Sequence, residues 1–203
     1  MAGRAHPLKA DKVLHLLPIG DLDDGLAKDL RSALERCFRL SCKALPVRLD
    51  PEFAFHPERQ QYHSSEILHR MQSFATKDCV RVLGITPVDL YIPILSFVFG
   101  EAQMGGPCAL VSTYRLTQEF YGLGGDRDLL RVRLIKEAVH ELGHTFNLTH
   151  CDDYSCVMAS SHAVEWIDLK ERSFCDTCQR QALTNVDQIR KPRRSMFSLL
   201  SRQ

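Results

Sequence analysis

Hydrophobic and polar positions along the chain follow two periods in turn. An unbroken apolar run from Val13 to Ile19, bounded by Lys12 and Gly20, predicts a short buried strand. Asp23 and Asp24 then open a stretch in which Leu26, Leu30, Ala33, Leu34 and Cys37 recur every three or four residues, the spacing of one helix face. Ala44 to Leu49 predicts a second strand, and Asp50 to Pro57, with two prolines, a loop. Ser64 and Ser65 stand where they would cap a second helix carrying Ile67, Leu68, Met71 and Phe74 on one face. The valine-rich Cys79 to Ile85 predicts a third strand.

Strand, helix, strand, helix, strand is the order of parallel crossover units. The pattern then changes. Ser96 to Phe99 and Ala109 to Thr113 predict two more strands, and the glycine-containing link between them predicts an antiparallel excursion at a sheet edge. Gly122-Leu123-Gly124-Gly125 reads as a loop. Asp126 and Asp128 open a long helix with Leu129, Leu130, Val132, Leu134, Ile135, Ala138 and Val139. After Leu148 the helical period stops, and the rest is rich in turns and cysteines. The expected fold is therefore α/β (α+β): a mixed twisted sheet with an edge strand, followed by a small cysteine-bearing module. Its expected divisions are 1–147, 148–189 and a basic tail at 190–203.

Composition narrows the field. With 44% hydrophobic and 25% charged residues the chain is an ordinary globular one, not a disordered or collagenous one. A formal net charge of +1 provides no overall field to hold nucleic acid or an anionic membrane. The longest strongly apolar stretch, Leu90 to Phe99, contains Pro93 and is about half of the roughly 20 residues a membrane helix needs. No secretory leader is read in Met1 to Lys12, so the expected compartment is the cytoplasm. In a reduced compartment, eight cysteines and nine histidines point to metal rather than disulfides. Cys37, Cys42, Cys79 and Cys108 are dispersed and read as small core residues.

The chemistry concentrates after residue 139. His140-Glu141-Leu142-Gly143-His144 sits on the long helix, and residues four apart share a face, so both imidazoles can reach one ion. Zinc accepts neutral imidazole nitrogens at about 2.0–2.1 Å. Glu141 would stand beside the ion and accept a proton from water. His150 completes the set only if the chain turns. On a continuing helix it would lie roughly 15 Å from His140 along the axis. Asn147 falls where that turn belongs, and asparagine tolerates left-handed backbone. At this chain's own frequencies, the three histidines and the glutamate at these offsets arise by chance roughly once in a thousand chains. The site reads as open and water-bearing; a structural site closed by Asp152, Asp153 or a cysteine is the alternative.

Cys151-x4-Cys156 and Cys175-x2-Cys178 supply four thiolates, the set a closed structural zinc site takes. A redox pair and an iron–sulfur cluster are the competing readings. His150 and Cys151 are adjacent, so the two sites are joined by one peptide bond. Other candidates are weaker: His63, His69 and His162 as ligands, Tyr114, Tyr121 and Tyr154 as oxyanion donors, and Trp166 as a pocket wall.

The run from His140 through His150 resembles the zinc motif of the metzincin metalloproteases. With Cys151-x4-Cys156-x-Met158 and Cys175-x2-Cys178, and with Phe97-Val98-Phe99-Gly100-Glu101-Ala102 and Val111-Ser112-Thr113-Tyr114-Arg115-Leu116, it resembles the archaemetzincins in particular. Asn147 stands where metzincins usually have glycine. The resemblance implies a zincin-like fold, with His140, His144 and His150 binding a catalytic zinc and Glu141 as general base. It implies Met158 as the methionine of the turn beneath the metal, and a second zinc held by Cys151, Cys156, Cys175 and Cys178. It also implies that the edge strand around Ser96 to Gly100, with Phe97, Val98, Phe99 and Gly100, pairs with an extended peptide. The expected function is zinc-dependent peptide hydrolysis by a monomer carrying two zinc ions, with no nucleic acid or membrane partner. The alternative is a zinc-stabilised peptide- or protein-binding module with little turnover.

Overall fold

The computed structural model describes residues 12–190. The expected N-terminal reading up to Asp11 and the basic tail beyond Arg190 lie outside the described residues. Strand β1 (Val13–Pro18) is followed by helix α1 (Asp24–Phe38), which starts where the Asp23 carboxylate accepts the Gly25 N–H. The side-chain cap replaces one of the bonds a helix start lacks. Then come β2 (Cys42–Ala44), β3 (Phe55–His56), β4 (Gln61–His63), α2 (Ser64–Met71), β5 (Cys79–Thr86) and β6 (Leu90–Tyr91). The remainder is β7 (Gly100–Ala102), β8 (Cys108–Ser112), α3 (Arg127–Thr145), α4 (Val164–Leu169) and α5 (Asp176–Arg190).

The main sheet runs β2-β1-β5-β8-β7, with four parallel strands and β7 antiparallel at the edge. The period-two rule places its side chains. On β8, Ala109 and Val111 join the cluster built with α1 and α3, while Cys108 and Leu110 join the one built with Ile67, Leu68 and Met71 of α2. Helices thus cover both faces, as a parallel sheet requires. A second small sheet runs β3-β4-β6, and an isolated bridge from Leu90 of β6 to Val98 ties it to the segment before β7. After Leu148 the chain adds Val157, Met158, Ile167, Phe174, Ala182 and Val186 to the cluster on the α1/α3 face. No helix among the described residues is long and apolar enough to cross a membrane.

Three local expectations need correction. The strand expected at Ala44 to Leu49 lies earlier, at Cys42–Ala44. Leu45 N still donates to Leu16 O, but Pro46 has no N–H to give, and bonding resumes only at Leu49 N to Pro18 O. The strand expected at Ser96 to Phe99 is displaced to Gly100–Ala102. Arg59 and Gln61 take the carbonyls of Leu95 and Ser96, and only Val98 bridges, to Leu90. Ser64 and Ser65 do not cap α2. His63 holds the cap position, and both serine hydroxyls donate to the Glu101 carboxylate across to β7.

Of the four dispersed cysteines, Cys42 and Cys108 are buried and Cys37 and Cys79 partly so. Burial pushes the thiols of Cys42 and Cys108 up to about 12. Only the thiolate reacts with alkylating agents. In the native protein both should stay unlabelled by iodoacetamide at pH 7.5 and label after denaturation. Rapid native labelling at either, read by peptide mass mapping, would contradict their place in the core.

Candidate metal centre and active-site cleft

Helix α3 begins at Asp126, whose carboxylate accepts the Leu129 N–H, and its last two turns carry His140, Glu141 and His144. His140 Nδ1 donates to Val157 O at 2.9 Å and His144 Nδ1 donates to Leu148 O at 2.8 Å. A carbonyl can only accept, so these bonds place the proton on Nδ1 and leave Nε2 as an acceptor. The two Nε2 atoms then face each other at 3.1 Å. Two lone pairs at that separation repel unless a cation lies between them.

Burial is the first cause that lowers the basicity of all three histidines, His140 most strongly, and the Lys170 ammonium adds to it. They are held neutral, as metal ligation requires.

His150 reaches the same point because α3 stops abruptly. Leu148 N bonds to Gly143 O and Asn147 N to His144 O, the paired bonds of a Schellman ending, with Asn147 at φ 62°. The expected left-handed turn is therefore present. Its neighbour Gly105 also sits at positive φ, and a Cβ there would collide with Asn147 Oδ1, so the asparagine side chain occupies the space glycine leaves. The ligand atoms of His140, His144 and His150 all lie within 4.8 Å of one another. Asn147→Gly should keep fold and metal content. Asn147→Val should cost roughly 1–2 kcal/mol, from a branched side chain in left-handed backbone. Equal melting temperatures for Asn147→Val and the unmodified protein would refute the strain.

Glu141 is buried beside the triad. A Cβ on Gly100 would stand 2.7 Å from Glu141 Cγ and 2.6 Å from Leu110 O, so the carboxylate reaches the cleft only because β7 starts with glycine. Burial, and then the neighbouring Glu137 carboxylate, raise the Glu141 carboxyl well above the ordinary range. A cation among the histidines would oppose that shift. Beneath lies Met158, fully buried, with its thioether against Gly143, where a Cβ would come within 2.5 Å of Sδ.

The Sγ atoms of Cys151, Cys156, Cys175 and Cys178 also lie within 4.8 Å of one another. The backbone N–H groups of Met158 and Cys175 donate to Cys156 Sγ at 3.5 and 3.3 Å, the bonding a thiolate ligand takes. Residues 156–158 therefore touch both clusters. Cys156 belongs to the sulfur set, Val157 O orients His140, and Met158 O accepts the Cys151 N–H at 3.0 Å.

The histidines open into a cleft of about 380 Å³. One wall is Leu95 to Gly100, so Phe97, Val98, Phe99 and Gly100 all line it; the other is Ser160, Ser161 and His162. Of the weaker candidates only His162 reaches the cleft, while His63, His69, Tyr114, Tyr121 and Tyr154 do not line it. Sequence reasoning missed Glu137 and Lys170. Glu137 lines the cleft, and its Oε1 lies 2.8 Å from Lys170 Nζ, with both side chains almost wholly inaccessible. The contact is ionic rather than a well-aligned hydrogen bond, since Oε1 has no partner by bond geometry. Helical spacing was the available signal: Glu137 precedes His140 by three and Glu141 by four.

Residues 36–184 match the profile of peptidase family M54. The chain is 40% identical over 164 residues to the archaemetzincin of Methanocaldococcus jannaschii, covering 81% of this chain and 89% of that one. It is 35% identical to the archaemetzincin of Thermococcus kodakarensis, covering 88% and 99% of the two chains. Among solved structures, a zinc-dependent peptidase from Methanocorpusculum labreanum superposes with a TM-score of 0.77 at 30% identity, covering 83% of this chain and 99% of that one. The malonate complex of the Archaeoglobus fulgidus archaemetzincin gives 0.71 at 34%, covering 83% and 98%. Profile, relatives and folds agree over most of the length: the chain belongs to peptidase family M54, the archaemetzincins.

Proposed function

We propose that this chain is a zinc-dependent metallopeptidase in which His140, His144 and His150 hold the catalytic ion and Glu141 is the general base. The observation that carries the reading is the pair of Nε2 acceptors facing each other at 3.1 Å in an open cleft, with a carboxylate beside them. The donor set fits zinc: three neutral nitrogens, two of them held by carbonyl bonds from their other ring nitrogen. When bound, zinc supplies Lewis acidity and positive charge at that point.

The chain's own residues do the rest. Glu141 takes a proton from the attacking water on a carboxylate oxygen and delivers it to the departing nitrogen. Gly100 leaves the space in which that carboxylate stands. The outer edge of β7 and the wall Phe97 to Gly100 would pair with an extended peptide laid along the cleft. Cys151, Cys156, Cys175 and Cys178 would hold a second, structural zinc.

The purified protein is expected to carry two equivalents of zinc by elemental analysis and to cleave members of a diverse peptide library, with products sequenced by mass spectrometry. Cleavage should cease on zinc chelation and return on readdition. A folded protein with two zincs that cuts no peptide would reject the reading.

A further inference from the structure

We propose that an apolar surface next to the cleft, formed by Tyr154, Trp166 and Leu169, takes an aromatic or aliphatic side chain of the same peptide substrate, beyond the residues that flank the scissile bond. The inference rests on the peptidase reading and extends it. These three side chains are 83%, 47% and 80% exposed. Large apolar groups grouped on a surface usually mark a contact site. With Ala159 and Ser160 they line a hollow of about 270 Å³, almost without polar groups.

Two observations commit the hollow to the substrate rather than to an unrelated partner. Ser160 lines both the hollow and the cleft, so the two share one wall. His162 lines the cleft and packs its ring edge-on to Trp166, with centroids 5.5 Å apart. A chain leaving the cleft over Ser160 would meet the hollow next.

The platform is also fixed in advance. Trp166 and Leu169 are three apart on the outer face of α4, while Val164 and Ile167 are buried on its inner face. Behind α4, Arg133 forks onto the Asp168 carboxylate at 2.8 and 2.6 Å. Lys136 Nζ donates to the carbonyls of Ile167 and Asp168. A held surface costs little ordering on binding, so the contact is realised as affinity.

The test compares two quenched-fluorescence peptides that share a cleavable centre taken from the library products. One carries phenylalanine or leucine at successive outer positions on either side, and the other carries serine there. In the zinc-loaded protein the apolar peptide should have a kcat/KM about tenfold higher at one outer position, chiefly through KM, from partial burial of one large side chain. In Trp166→Ala/Leu169→Ala that ratio should fall to about one, while Trp166→Phe should keep most of it.

Using the ratio within each protein cancels any general loss of activity. An unmodified protein that cuts both peptides equally overturns the proposal and leaves the peptidase reading standing, as does a double variant that keeps the preference. Cleavage of neither peptide would reject both. A double variant that changes sedimentation behaviour but not the ratio would assign the hollow to a second copy of the chain and overturn the proposal.

Discussion

In Glu141→Gln, hydrolysis should fall by roughly two to four orders of magnitude, the usual contribution of a positioned base, while the fold and both metals are retained. The substitution keeps the shape that Gly100 accommodates and removes only the carboxylate's charge and its ability to take a proton. Stability should not suffer. With the ion in place, its charge offsets the burial and the Glu137 carboxylate that disfavour a charge at residue 141, so a neutral amide of the same shape removes neither a large cost nor a large support. Melting curves, elemental analysis and steady-state rates on one library-derived peptide would check all three statements. An unchanged rate would remove Glu141 from the mechanism. A loss of zinc with the loss of rate would make it a metal-binding group instead of a base.

The second large effect concerns stability. In Lys170→Met, Glu137 is left in the interior without its counter-charge, next to Glu141, and unfolding free energy should drop by about 3–5 kcal/mol. For a chain of this size that corresponds to a melting temperature lower by on the order of 10 °C. The loss reflects a stranded carboxylate, not the net value of the pair. Replacing both partners, as in Glu137→Leu/Lys170→Met, should therefore recover most of it. A double-mutant cycle on melting temperature separates these cases. If the single variant melts with the unmodified protein, the 2.8 Å contact is not what neutralises Glu137.

The histidine and cysteine clusters were more legible in the sequence than the course of the backbone. His140, Glu141 and His144 are separated by helical spacing, and a helix turns spacing directly into position. His150 required a bend, and Asn147 marked it because few residues accept positive φ. The core of α1, β1, β5 and α3 was legible for the same reason: period and burial coincide there.

What was hidden depends on contacts between distant residues. The ladder beyond Ala44 breaks because Pro46 cannot donate, a rule that sequence carries but that strand propensity outweighed. Ser96 to Phe99 has a strand's composition, yet Arg59 and Gln61, far earlier in the chain, claim the neighbouring carbonyls. Ser64 and Ser65 have a capping pair's chemistry, and Glu101 outcompetes the helix for it. The Glu137–Lys170 pair joins α3 to the residue just after α4, and no local pattern announces a partner 33 positions away.

The turn at 156–158, shared by both clusters, has a consequence for the order in which the protein comes into being. His140 and His144 leave the ribosome with the helix, but the carbonyl that steers His140 and the amide contact that fixes Cys151 belong to a turn whose sulfur set is closed by Cys175 and Cys178 at the start of α5. A nascent chain interrupted before Cys178 would hold two histidines on a helix with the third unanchored. If the proposed assignment holds, the centre is complete only once Cys178 has been made, and a chain cut short before it should lack peptidase activity.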